Sequence, residues 1–363
     1  MRILYVAMKY DYGDPRRGLS FEHHNFYETL DRMREHQVAY FAFDDVLTRL
    51  GRDGMNRALL DTVAEVKPHL ALFVLFTDEI TPQTIREITT RSGAVTFNWF
   101  ADDHWRFFNF SRHWAPLFHW VSTTDPRAIP RYRHMGYANV IKTQWACNHY
   151  TYRPSLTPDG RLETAYDYDV TFVGQPHSNR RQVVDDLRRA GIDVRCWGFG
   201  WPNGRLGQED AIRVFARSRV NLNLAKSSGG VTIEELAKIA INRRADGSFH
   251  FWPPALWADN VRSFLAKGRE QVKGRNFEIP GAGGFLLTSP TEDLATYYVP
   301  GREVELYAGP DDFVDKIRYY LAHDREREAI RAAGYARTLR EHTYVHRFKE
   351  IFTTIFGPGG PRR

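Results

Sequence analysis

Two kinds of segment alternate along the chain. Short apolar runs rich in β-branched and aromatic residues predict strands of a parallel sheet, because such strands are covered on both faces. Longer segments with apolar residues at helical spacing predict amphipathic helices. The predicted strands are 2–7, 38–43, 70–76, 94–100, 120–124, 140–146, 168–174, a strand and its loop within 194–201, 220–224 and 285–288. The predicted helices are 21–33, 55–66, 81–90, 130–135, 180–190, 210–217, 291–297, 311–322, 325–341 and 344–356.

The order of these elements predicts an α/β protein with two Rossmann-like domains. The chain has 363 residues, which is more than one hydrophobic core usually holds. Each half opens with a strand, a turn-rich loop and a helix, as Rossmann-like domains do. We expect a first domain at 1–150, a linker at 151–168, a second domain at 169–342, a last helix at 343–356 and a disordered tail at 357–363. Residues 225–271 fit neither domain pattern and are interpreted as an insertion, which would suit acceptor binding or be decoration.

The composition limits the classes of protein to which this chain can belong. The net charge is +6 and the isoelectric point is near 9.2, which allows an acidic partner such as a nucleotide, an anionic membrane surface or a nucleic acid. The basic residues are scattered in pairs, and no reading-head motif for nucleic acid is present. Only two cysteines occur, Cys147 and Cys196, which fits a reducing cytoplasm. There is no zinc signature, no 18-residue apolar run, and the apolar start is too short for a signal peptide.

One stretch, residues 274–288, combines the side chains that a nucleotide requires. Glu278 can accept two hydrogen bonds from a vicinal diol such as a ribose. Arg275 presents a planar fork that could offset diphosphate charge. Gly283 and Gly284 would let backbone amides approach an anion closely. The alternative is a simple turn before the buried strand at 285–288.

A second candidate site follows the predicted strand 94–100. Ligands of parallel α/β sheets lie beyond the carboxyl ends of the strands, and Asp102, Asp103 and His104 come directly after this one. Paired carboxylates beside a histidine can shift a pKa and position a base. The alternative is that one aspartate caps the helix that follows.

The C-terminal half resembles the CgeB-type (spore maturation protein-like) glycosyltransferases, relatives of the retaining family-4 type with the GT-B fold. The resemblance is specific from about residue 270 to 356 and weaker upstream. It rests on residues 273–288, 293–294, 301–303, 316–321, 331–334 and 342–344.

The resemblance implies two facing Rossmann-like domains with a nucleotide-sugar site in the cleft and a C-terminal helix that crosses back to the first domain. Glu278 and Gly283 match the family's ribose-binding Glu and the Gly five residues later. Glu270 has the spacing of a second, sugar-binding Glu, but its neighbours depart from the pattern, so we interpret the spacing as coincidence. A sugar-contacting His is implied near the Asp102–His104 turn, although the family's order puts His first.

The resemblance also implies roles for the two strand–loop–helix openings. The first loop would lie near the transferred sugar or the acceptor, which makes Gly18 a candidate there, with Ser20, Glu22 and Asn25 close by. A solvated first-turn acid is the alternative for Glu22. The second opening would face the donor diphosphate, which makes candidates of Gly174, Arg180 and Arg181. Surface cations on a helix are the alternative for the two arginines.

The predicted function is transfer of a sugar from a nucleotide-diphosphate sugar to a hydroxyl of a carbohydrate, a glycolipid or another acceptor, as in polysaccharide or glycoconjugate biosynthesis. Arginines and backbone amides would hold the diphosphate, so no metal or other cofactor is expected, and the family relation implies retention at the anomeric carbon. One alternative hypothesis is a nucleotide-sugar epimerase or hydrolase on the same fold, in which Asp102 and Asp103 act on the sugar. The other is a nucleic-acid-binding protein. Nucleic acid is an unlikely partner except as an acceptor.

Overall fold

A computed structural model describes residues 1–177, 179–224, 236–243 and 249–358. Contacts between residues divide the chain into two compact units. The first unit comprises Met1–Gln144, Val231–Lys267 and Arg347–Arg363. The second unit comprises Trp145–Gly230 and Gly268–His346.

The first unit is built on a six-stranded parallel sheet with the order β2-β1-β3-β4-β5-β6. Its strands are β1 (Arg2–Ala7), β2 (Gln37–Ala42), β3 (Leu70–Phe73), β4 (Val95–Trp99), β5 (Trp120–Thr123) and β6 (Val140–Lys142). The central strands are apolar and buried on both faces, as the sequence pattern predicts for a parallel sheet. The order reverses direction at β1, between β2 and β3, which places the loops after β1, β3 and β4 at one edge of the sheet.

Helices of the first unit cover the sheet. They are His23–Tyr27 (a π-helix), Glu28–Met33, Phe43–Val66, Pro82–Arg91, Asp103–Arg106, Phe107–Ser111 (a π-helix), Arg112–Trp114, Ala128–His134 and Trp257–Ala266, with 3₁₀ turns at Asp11–Gly13, Pro15–Arg17, Ala115–Leu117 and Pro254–Leu256. Within Phe43–Val66 the helical path is broken at Gly51, where φ is +66°. Two strands outside the sheet, β10 (Ile241–Arg243) and β11 (Phe249–Phe251), pair in antiparallel fashion.

The second unit has a five-stranded parallel sheet with the order β13-β12-β9-β7-β8. Its strands are β7 (Tyr168–Val173), β8 (Val194–Trp197), β9 (Ser218–Asn223), β12 (Leu286–Thr288) and β13 (Glu305–Leu306). Its helices are Arg180–Arg189, Gln208–Ala216, Arg275–Gly281, Pro310–Ala322 and Asp324–Glu341, with a 3₁₀ turn at Leu294–Thr296.

The prediction of an α/β protein with two Rossmann-like domains is therefore confirmed, with differences in detail. Residues 275–281 form a helix and not a glycine loop, and 291–297 holds only a short 3₁₀ turn. The described parts of 231–267 cluster with the first unit. Residues 151–168 cluster with the second unit, where the side chains of Pro154 and Leu162 lie against Gly283.

The last helix, Tyr344–Phe356, starts in the second unit, and its residues from Arg347 onward belong to the first. There the rings of Phe348 and Phe26 lie 5.8 Å apart, and Arg347 Nε donates to the carbonyl of Gln144 at 3.3 Å. Of the predicted tail at 357–363, residues 359–363 lie outside the part of the chain that the structure describes.

Candidate functional site

Two arginine side chains of the second unit converge at the carboxyl end of β7. Arg275 Nε donates to the carbonyl of Val173, the last residue of β7, at 3.4 Å. Arg180, in the first turn of its helix, donates through its guanidinium to the carbonyls of Gln175 at 3.0 Å and Leu224 at 2.7 Å. Burial, with the nearby charge of Arg275, lowers the pKa of Arg180 to about 10. Two cations held this close favour an anion, because its charge relieves their repulsion.

The carboxylate beside these cations belongs to Glu278, which is buried. Arg275 Nη1 donates to Glu278 Oε2 three residues further along the same helix, and the Glu278 side chain is 1% exposed. The other oxygen, Oε1, is buried and has no hydrogen-bond partner within the described parts of the chain. The nucleotide-binding role predicted for Glu278 from the sequence therefore falls on a buried carboxylate. One acceptor atom of the carboxylate that contacts Arg275 therefore has no partner among the described residues.

The glycines of this stretch serve packing and do not open backbone to a ligand, which corrects the sequence-based prediction for Gly283 and Gly284. A Cβ on Gly283 would lie 2.7 Å from Leu162 Cδ2, and its φ is +72°. A Cβ on Gly284 would lie 2.7 Å from the carbonyl oxygen of Phe215. Both contacts are shorter than a side chain tolerates, so the Arg275–Gly281 helix and β12 sit directly on their neighbours.

Two further side chains interact electrostatically with this group or its neighbours, the phenol of Tyr307 and the carboxylate of Glu270. Burial raises the pKa of Tyr307 to about 12, the Glu270 carboxylate raises it further, and Arg180 acts in the opposite direction. Glu270 is therefore within electrostatic range of the same tyrosine as Arg180. Tyr307 belongs to no recognisable motif, so sequence reasoning had no reason to select it.

The remaining two predictions in this unit have local structural partners. Gly174 directly follows β7, and its carbonyl accepts a hydrogen bond from Trp201 Nε1 at 2.8 Å. A Cβ there would lie 2.9 Å from Phe172 Cζ. The exposed Arg181 donates to the carbonyl of Gly200 at 2.5 Å and covers the Trp201 ring at 5.1 Å. Arg181 thus stabilises the loop after β8, whereas the guanidinium of Arg180 lies near that of Arg275 in the candidate site.

In the first unit, the acidic turn follows β4 as predicted, but only Asp102 reaches the surface. Asp103 is 0% exposed and His104 is 1% exposed. Tyr132 donates its hydroxyl to Asp103 Oδ2 at 2.8 Å, and burial raises the pKa of Asp103 to about 6. Asp102 occupies the N-cap position of Asp103–Arg106 without a side-chain capping bond. Asp103 and His104 are therefore buried, and Asp102 is the most exposed of the three predicted residues.

The loop after β1 brings a further acid to this turn. Gly18 has φ +80° and ψ −175°, a conformation that side chains disfavour, and a Cβ there would meet nothing within 4 Å. Ser20 caps the helix start by accepting from the amide of His23 at 3.0 Å. Burial raises the pKa of Glu22 to about 7, and the charges of Asp11 and Asp102 add to the shift. Glu22 is half-buried and interacts with both aspartates, so it is not a fully solvated first-turn acid.

Within the described residues, no group of three or more His, Cys, Asp or Glu side chains is placed to hold a metal ion. In those same residues, none of the helices has both the length and the apolar character needed to cross a membrane.

Comparison with known proteins first defines the class. Residues 179–353 match the family described as "Glycosyl transferase-like", a range that contains all the predicted nucleotide-sugar residues except Gly18 and Gly174. Sucrose-phosphate synthase from Thermosynechococcus elongatus is similar over 98% of this chain and 99% of its own, with a TM-score of 0.61 and 10% identity. Anabaena Alr3699/HepE, solved in complex with UDP-glucose, covers the same shares with a TM-score of 0.60 and 12% identity. These structures share the GT-B fold.

The particular resemblance is to the spore protein CgeB of Bacillus subtilis (strain 168), which is 25% identical over 226 residues. The aligned region covers 62% of this chain and 64% of the relative, so the match spans slightly under two thirds of the relative's length. The CgeB-type resemblance predicted from the sequence is confirmed.

Proposed function

We propose that this protein transfers a sugar from a nucleotide-diphosphate sugar to an acceptor hydroxyl. The observation that carries the proposal is the group formed by Arg180, Arg275 and Glu278 at the carboxyl end of β7. Two guanidinium groups would hold the diphosphate, and the unused Oε1 of Glu278 would accept from a ribose hydroxyl. HepE, which shares the fold, was solved with UDP-glucose, and this supports a nucleotide-sugar donor.

The proposed chemistry places the positive charge for the leaving group on the protein. A departing nucleoside diphosphate develops negative charge, and preorganised cations at that position lower the barrier. Arg275 and Arg180 supply this field, and we therefore propose that transfer proceeds without a divalent metal. Retention at the anomeric carbon is proposed from the CgeB-type resemblance. Two free, buried cysteines accord with a cytoplasmic location.

The test of function is release of nucleoside diphosphate from a panel of nucleotide sugars, measured with excess chelator. We expect release to continue in chelator and to increase when the acceptor is present. Anomeric configuration of the product, read by proton NMR, would establish retention.

Activity that disappears in chelator and returns with magnesium or manganese would contradict the arginine-based mechanism. Release that is fast and unaffected by any acceptor would instead favour a hydrolase, and isomerised nucleotide sugar without release would favour an epimerase.

A further inference from the structure

A cavity of about 610 Å³ lies within the first unit. One wall comes from Tyr12, residues 76–78 and residues 105–114, and the other comes from the described part of 238–267. The Asp78 carboxylate in the first wall pairs with Arg52 at 3.0 Å. A volume of a few hundred cubic ångströms is typical of sites for small molecules or single sugar residues. Nothing in the donor group of the second unit contributes to this lining.

The first wall carries aromatic rings around one cation. The guanidinium of Arg106 lies 4.2 Å from the ring of Phe110, 5.2 Å from that of Phe76 and 5.5 Å from that of Trp105. Trp252 adds a further indole to the lining from the opposite wall. Flat aromatic rings can stack on the apolar face of a sugar ring, in the same way that they stack on one another.

Arg106 has no ion pair among the described residues, unlike several other arginines of this protein. Arg52, Arg112 and Arg275 each contact a carboxylate, but no carboxylate within the described residues lies at ion-pair distance from Arg106. Burial lowers the pKa of Arg106, and the more distant charges of Asp102 and Glu79 only partly compensate. A partly buried guanidinium without a bonded partner is costly, and an anionic ligand removes that cost.

The second wall provides unused hydrogen-bond acceptors on the helix Trp257–Ala266. Asn260 is 4% exposed and Ser263 is 2% exposed, one turn apart. Asn260 Nδ2 donates to the carbonyl of Ile239 at 2.8 Å, which fixes the amide so that Oδ1 points elsewhere. Asn260 Oδ1 and Ser263 Oγ are both buried without a partner among the described residues. Buried acceptors of this kind are normally satisfied, and hydroxyl groups of a ligand would do so.

We propose that this cavity binds an acidic sugar residue, a pyranose that carries a carboxylate or another anionic substituent. Arg106 binds the anionic group, the aromatic rings contact the face of the sugar, and Asn260 with Ser263 accepts from its hydroxyls. This assignment rests on the proposed function: the acidic sugar is the acceptor of the transfer reaction, and the cavity selects it. The three kinds of contact are needed together, because a bare anion would leave the amide and hydroxyl oxygens unsatisfied.

The test is direct binding, which does not depend on transfer. Methyl β-glucuronide and methyl β-glucoside share one ring and differ in the carboxylate, so their binding constants can be compared by saturation-transfer NMR. We expect the glucuronide to bind at least about tenfold more tightly, as charge-assisted hydrogen bonds are stronger than neutral ones. Arg106→Met should abolish this preference, whereas Arg262→Met, at an exposed cation of the opposite helix outside the cavity, should keep it.

A second variant keeps the proposal testable if Arg106→Met does not fold. Ser263→Ala removes one acceptor without adding bulk, and it should weaken both glycosides by a similar factor of about threefold or more. Equal binding of the two glycosides to the wild type, or a preference that survives in Arg106→Met, would overturn the proposal. Inorganic sulfate that competes as strongly as the glucuronide would show an anion site only and would overturn it too. Nucleoside diphosphate binding, measured on the same samples, reports separately on the donor site.

Discussion

Replacing Glu278 with glutamine should lower both the melting temperature of the ligand-free protein and its affinity for a nucleoside diphosphate. The change leaves Arg275 without the carboxylate that it contacts, inside a helix whose residues from Asn276 onward are all buried. Loss of one partner from a buried ion pair costs several kcal/mol. Since the Arg275 side chain is 34% exposed and water still reaches it, we expect a loss of about 1–3 kcal/mol in the free energy of unfolding.

The affinity should fall in the same variant because a ribose hydroxyl would lose a charged acceptor. We expect nucleotide binding to weaken by about 1.5–3 kcal/mol, the range for hydrogen bonds to charged groups. Melting curves and calorimetric titration on the same protein measure both effects. A matched control is Asp210→Asn, which breaks an exposed Arg–Asp pair of the same i, i+3 spacing in the same unit and should change neither quantity appreciably. Wild-type stability and affinity in Glu278→Gln would refute this role for the pair.

Gly334→Ala should destabilise the second unit strongly. A Cβ at this position would lie 2.2 Å from the carbonyl oxygen of Glu303, and backbone cannot rotate away as a flexible side chain could. The segment at Glu303 is itself fixed, because its amide donates to the carbonyl of Val299 at 2.9 Å. We expect a loss of about 1–3 kcal/mol or more, as for overpacking in a dense core.

The expected effect extends to the donor group, since the same Cβ would lie 3.6 Å from Pro280 Cβ on the helix that carries Arg275 and Glu278. Displacement of that helix should weaken nucleotide binding. Gly309→Ala is the control: its φ is −170° and a Cβ there would meet nothing within 4 Å. Chemical denaturation of both variants decides the matter, and equal stability would show that the helix Asp324–Glu341 can move away from Glu303.

The strands were predictable because their signal is local. Apolar runs such as those of β1 and β3 mark buried parallel strands whatever the rest of the chain does, and their order implied two Rossmann-like units. The turn at Asp102 was selected for a related reason, since the carboxyl end of a parallel strand is where ligands of such sheets lie. Arg180 was selected from the family resemblance.

The predictions that the structure corrected all depend on contacts between residues that are distant in the sequence. Glycines near Glu278 suggested an open loop, but each fits against a distant neighbour, such as Leu162 for Gly283, and no local pattern shows this. The burial of Asp103 depends on Tyr132, which follows a later strand. Arg106 was overlooked because its significance lies in the absence of an ion pair, which a sequence cannot show.

The central claim is that Arg180 and Arg275 hold the diphosphate of the donor. Calorimetric titration of UDP, GDP, ADP and dTDP in excess chelator tests it most directly, with the tightest binder carried into three variants. The account predicts binding to the wild type, a loss of about tenfold or more in Arg180→Met and in Arg275→Met, and wild-type affinity in Arg189→Met, which removes an exposed cation from the far end of the Arg180 helix. Equal affinity in all three variants, or binding only after metal is added, would contradict it.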